Sequence, residues 1–102
     1  MGWIDAGNPG DIAEGTTKSV VAGLSMIAIA RSGGSYYAIE DLCTHDGEAL
    51  TGGEIEACQI ICPRHGARFS LQTGEALTPP AYESVRVYQT KLETGRLWVL
   101  VD

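Results

Sequence analysis

An all-β, antiparallel fold is predicted by three features: abundant turn residues, short β-prone runs at close spacing, and no long helical pattern. The 102 residues include 13 Gly and 4 Pro against 7 aromatics, a balance that favours tight turns, which need residues accepting a positive or preset φ. With 44% hydrophobic and 20% charged residues, the chain is expected to form one domain, residues 1–102. A core of this size buries roughly two thirds of the surface of the unfolded chain, so a bound metal centre would add useful stability.

Along the chain, Val20-Val21, residues 26–30 and residues 36–39 are β-prone runs, separated by Ala22-Gly23 and by Arg31-Ser32-Gly33-Gly34-Ser35. This is hairpin punctuation. Residues 20–30 mimic a signal-peptide core ending in Ala28-Ile29-Ala30. The preceding segment, however, carries Asp5, Asp11 and Glu14 against Lys18 alone, the wrong charge for a secretory leader. The run is also shorter than the ~20 residues that span a bilayer, and Gly23 interrupts it. It therefore reads as two strands, and the expected location is cytoplasmic. Residues 55–61 form a further strand-like run in which Cys58 alternates with Ile60 and Cys62, which makes Cys58 a small buried residue, with a regulatory thiol as the alternative. Pro79-Pro80 cannot join a central ladder and belongs to a loop. Val85-Arg86-Val87-Tyr88 alternates as a strand, residues 92–96 read as a turn, and residues 97–101 as an apolar strand. Trp3 and Trp98 fit core or rim packing. An antiparallel barrel or sandwich accommodates these elements, and closure protects strand edges.

A net charge of −6 argues against nucleic acid and against an anionic membrane surface, because both select for excess Lys and Arg. A basic protein partner fits better. Glu40, Asp41, Asp46, Glu48, Glu54 and Glu56 fall in one stretch without Lys or Arg. The stretch reads either as a solvated loop surface or as a docking patch that steers a partner.

The sequence holds two histidines, and each stands beside a cysteine: Cys43-Thr44-His45 and Cys62-Pro63-Arg64-His65. Three cysteines are an odd number for a disulfide framework. Zinc is the chemical competitor, but a zinc finger puts both cysteines on a hairpin and both histidines on the next helix. Here each pair mixes sulfur with nitrogen and is followed by a glycine, Gly47 or Gly66, where a tight ligand loop needs positive φ. That order suits a two-metal centre in which each loop gives one sulfur and one nitrogen.

The segments Cys-Thr-His-Asp-Gly and Cys-Pro-Arg-His-Gly-Ala resemble the two cluster loops of the Rieske [2Fe-2S] family. The likeness extends from Tyr36-Tyr37-Ala38-Ile39-Glu40-Asp41 through Phe69 and Thr73-Gly74-Glu75 to Pro79-Pro80. It implies a Rieske-type sandwich or barrel with a small cluster-binding subdomain of two hairpin loops, about residues 41–82. It also implies one [2Fe-2S] cluster per chain, with Cys43 and Cys62 on the buried iron and His45 and His65 on the outer iron through Nδ1. Leu50 and Pro79-Pro80-Ala81 resemble the apolar cover that limits water access.

High-potential members carry a disulfide between the loops and hydroxyl donors near the cluster sulfurs. Here Gly47-Glu48 and Arg64 stand where those cysteines would be, and Ala67 and Phe69 occupy the Ser and Tyr positions. Fewer hydrogen bonds to the reduced cluster imply a low potential, roughly −100 to −150 mV at neutral pH. Histidine ligation further implies that reduction couples to protonation only at alkaline pH.

The function implied is that of a Rieske-type ferredoxin, an electron carrier and not an enzyme, resembling the ferredoxin components of aromatic-ring-hydroxylating dioxygenases. Its partners would be an electron-donor flavin reductase and an electron-acceptor oxygenase, and a monomer suits a shuttle that docks at two sites in turn. The alternative is a redox sensor or a small accessory subunit resembling that of nitrite reductase. A Rieske oxygenase needs a second iron site with two more histidines, which the chain lacks.

Overall fold

The computed structural model describes residues 2–44 and 47–101. In chain order its strands are β1 (Gly2–Gly7), β2 (Thr17–Ala22), β3 (Ser25–Ser32), β4 (Ser35–Glu40), β5 (Glu54–Glu56), β6 (Gln59–Ile61), β7 (Arg68–Ser70), β8 (Val87–Tyr88), β9 (Thr90–Glu93) and β10 (Arg96–Val101). A 3-10 turn, Pro9–Asp11, is capped by the Asn8 side chain, which accepts from the Gly10 N–H. The pairings between strands are antiparallel and form three sheets, β1-β10-β9, β2-β3-β4-β8 and β5-β6-β7.

The layering follows from β3. Ile27, Ala28, Ile29 and Ala30 are all fully buried, so this strand is covered on both faces and loses the polar half of the usual alternation. Ile27 and Ile29 pack with Ala6, Ile12, Ala38, Tyr88, Leu97 and Val99, the core shared with the β1-β10-β9 sheet. Ala28 and Ala30 point the other way, into a core with Ile39, Ile60, Phe69 and Leu71 beneath the β5-β6-β7 sheet. Small residues on that face leave room for what the third layer brings.

Tight two-residue turns join β2 to β3, β3 to β4, β5 to β6 and β9 to β10, as the register of each pair shows. The break at Gly23, the loop at Pro79-Pro80 and the C-terminal strand lie where the sequence predicts them. Three expectations are corrected. Cys58 is not mid-strand: Ala57 and Cys58 form the β5–β6 turn with φ of 52° and 58°, the left-handed pair that the twist of a two-residue hairpin demands. Leu92 belongs to β9, and the turn is confined to Thr94 and Gly95, because the ladder runs on to Arg96↔Glu93. Of residues 85–88 only Val87 and Tyr88 form a strand, in register with Ile39 and Ala38, while Arg86 O accepts from the Glu40 N–H at 2.8 Å. Trp3 is a rim residue, 37% exposed, with Lys91 Nζ 4.4 Å from its ring centre.

Candidate metal centre

Each predicted ligand loop hangs from a buried cysteine. In the first, the Cys43 N–H donates to Glu48 O at 2.7 Å and the Gly47 N–H donates to Cys43 O at 2.8 Å. In the second, the Cys62 N–H donates to Ala67 O at 2.7 Å and the Gly66 N–H donates to Cys62 O at 3.0 Å. Both loops thus close by the same pair of bonds, counted from the cysteine, and both glycines turn with positive φ, 77° and 75°. A side chain at either would be strained. One backbone motif has been used twice, although the histidine comes two residues after the first cysteine and three after the second.

The two motifs converge. Cys43 and Cys62 are each 1% exposed, lie in the same core cluster and form no disulfide. Around them pack Leu50, Phe69, Ala67 and Ala81, the first three fully buried and the last 3% exposed. Ala67 and Phe69 contribute no hydroxyl to this core. His65 lies at the exposed tip of the second loop with Pro63 and Arg64. His45, the fourth predicted ligand, lies outside the described residues, as does Asp46. Among the described residues no three of His, Cys, Asp and Glu gather as around one ion. The described donors are soft sulfur in the apolar core and imidazole nitrogen at the surface. That division fits a binuclear cluster, whose two irons take different ligands, better than one zinc ion.

Two further contacts position the loops. Thr44 Oγ1 donates to Glu83 O at 2.7 Å, tying the first loop to the segment after Pro79-Pro80. Gly53, fully packed, is where the strand leaving the first loop meets the strand entering the second: a Cβ there would overlap Ile61 O and come within 3.0 Å of Leu50 O.

The acidic stretch divides when placed in the fold. Glu54 and Glu56 are exposed, with Glu56 3.4 Å from Arg68, and Glu40 accepts from the Arg86 N–H. Asp41 is different, and composition alone groups it with the surface acids. It is 7% exposed, and its carboxylate accepts from the N–H groups of Leu50 and Thr51 and from the hydroxyls of Thr51 and Ser19. Its one sequence cue is position, next to the strand end and just before Leu42-Cys43. Elsewhere, the neighbouring Cys58 thiol first, and desolvation second, hold the Tyr37 pKa above the usual 10.0.

A three-layered antiparallel fold with paired Cys-His loops defines a class of iron–sulfur protein, and the comparisons specify it. The Rieske [2Fe-2S] domain model matches residues 2–89, and the chain belongs to that family. The ferredoxin component of the naphthalene 1,2-dioxygenase/salicylate 5-hydroxylase systems of a Ralstonia species is 35% identical, over 98% of this chain and 96% of its own. The ferredoxin component of the Pseudomonas putida naphthalene 1,2-dioxygenase system is 34% identical over 95% and 93%. Among solved structures, the ferredoxin of carbazole 1,9a-dioxygenase from Nocardioides aromaticivorans IC177 superposes with a TM-score of 0.90 at 26% identity, covering 97% of both chains. A chain from the complex of reduced oxygenase and oxidized ferredoxin in carbazole 1,9a-dioxygenase gives 0.88 at 31% identity, covering 95% of this chain and 91% of its own. The cofactor of the family is the Rieske [2Fe-2S] cluster. No helix among the described residues is long and apolar enough to cross a membrane.

Proposed function

We propose that this chain is a low-potential Rieske-type ferredoxin that accepts one electron from a flavin reductase and delivers it to a terminal oxygenase. The observation that carries the reading is the convergence of two identically closed loops, which bring two thiols into one apolar core while His65 stays at the surface. Its ferredoxin relatives serve dioxygenase systems, and a complex of oxygenase and ferredoxin has been solved.

In this reading Cys43 and Cys62 hold the cluster as thiolates on the buried side, and His45 and His65 hold it on the solvent side. Bound there, the cluster supplies a reversible one-electron couple. Leu50, Phe69 and Ala81 keep water from the sulfur side, so the exposed His65 imidazole is the short route to a partner. Both histidines are then committed, and no pair remains for a mononuclear iron; the chain is a carrier without a catalytic step of its own. A single domain over residues 1–102, with its cluster-binding part at about 41–82, belongs to the same reading. So does a cytoplasmic monomer that presents one histidine edge to each partner in turn.

The test is an optically monitored redox titration across pH, with iron and sulfide measured on the same sample. Two irons, two sulfides and a one-electron wave at roughly −100 to −150 mV are expected. The wave should hold level through neutral pH and fall at alkaline pH. A wave well above zero would return a quinol-linked role, and one zinc per chain without iron would overturn the reading.

A further inference from the structure

We infer that Asp41 is a positioning residue for the cluster: it locks the far end of the first loop and places a fixed negative charge close to the cysteine core, which lowers the midpoint potential. The inference rests on the ligand assignment above.

The geometry gives Asp41 a reach that its place in the sequence hides. It stands two residues before Cys43, at the end of β4, where its N–H donates to Met26 O at 2.9 Å. Asp41 Oδ1 accepts from the N–H of Leu50 at 2.7 Å and of Thr51 at 2.8 Å; Oδ2 accepts from Thr51 Oγ1, 2.6 Å away, and from Ser19 Oγ at 3.1 Å. One carboxylate therefore holds both ends of the loop, residues 42–51, and ties them to the central sheet through β2 and β3. Leu50, whose N–H it receives, is fully buried against Cys43 and Cys62. Losing the bond would free the side chain that closes this side of the core.

All four donors are neutral, so they stabilise the carboxylate without cancelling its charge. At 7% exposure solvent screens it weakly. Adding an electron to a cluster beside a fixed negative charge is disfavoured, and this effect acts in the same direction as the missing hydroxyls at Ala67 and Phe69.

The experiment compares Asp41→Asn and Asp41→Ala with the wild-type holoprotein, reading iron and sulfide content, midpoint potential, and amide exchange at Leu50 and Thr51. Asp41→Asn keeps an acceptor for both N–H groups and removes the charge. It should retain two irons and raise the reduced-to-oxidised ratio at fixed ambient potential about tenfold, ~59 mV for one electron. Asp41→Ala should speed exchange at Leu50 and Thr51 at least tenfold and lose iron faster. Should Asp41→Asn fail to hold iron, Ser19→Ala carries the electrostatic test with the opposite sign: removing a hydroxyl dipole aimed at the carboxylate lowers the potential.

An unchanged potential in an iron-replete Asp41→Asn, or in Ser19→Ala where that variant carries the test, would overturn the electrostatic role. Unchanged exchange and iron retention in Asp41→Ala would overturn the positioning role. A wild-type protein without two irons and two sulfides would instead refute the parent reading.

Discussion

Gly53 controls how closely the two ligand loops can approach, and it does so by lacking a side chain. A methyl group there would press on the carbonyls of Ile61 and Leu50, one preceding Cys62 and the other belonging to the apolar cover. Both are backbone atoms of packed segments and have nowhere to go. Gly53→Ala is expected to cost roughly 3 kcal/mol in urea denaturation and to lower iron occupancy; an unchanged denaturation midpoint would show that the backbone yields. His65→Cys exchanges a neutral ligand for a thiolate, adds negative charge to the cluster and should lower the potential wherever two irons are retained. A rise would contradict the charge argument. Asp41 shows where residue-level reading stops: composition counts it among the surface acids, and only the fold reveals four donors converging on it.

At the level of elements, the hairpins were legible because Gly23 and Gly33-Gly34 announce their own turns. The Cys58 turn is not announced because Ala57-Cys58 carries no such signal; packing against the core cluster that Tyr37 also joins accompanies two ordinary residues in left-handed conformations. β1 was not anticipated as a strand because its partner β10 lies at the other end of the chain, where no local pattern can indicate the pairing. The β3–β4 turn has an unanticipated support in Glu14, which receives the N–H groups of Gly33 and Gly34 at 2.7 and 2.8 Å. The Gly34 bond first, then the Gly33 bond, with a smaller contribution from Arg31, hold the Glu14 pKa below its usual 4.5. Because the folded value is the lower one, the stabilisation is present above the unfolded pKa and is lost as pH falls through the folded value. Glu14→Gln should therefore flatten the fall in melting temperature as pH drops below the unfolded value of 4.5, a change measurable by calorimetry; an equally steep fall would exclude Glu14 as its source.

For the molecule as a whole, stability is divided between two cores on either side of the central sheet, and both buried cysteines belong to one of them. The cofactor was readable from sequence because the Cys-x-His and Cys-x-x-His spacings are local. The layering was not, because the unbroken apolar run in β3 fits a single buried face or two. Two cores imply uneven dependence on iron. Stripping the metal should raise amide exchange in β5, β6 and β7 while the β3 amides stay protected; equal loss throughout would mean that the cores unfold as one unit.

The pairing of Gly2 with Val101 has a practical consequence. Both ends of the described chain leave from one point, in the layer separated from the cysteine core by the central sheet. A linker, affinity handle or electrode tether attached beside Gly2 or Val101 is thereby anchored on that outer layer. Immobilising the protein there should put the central sheet between the support and the cysteine core without any engineering of the loops.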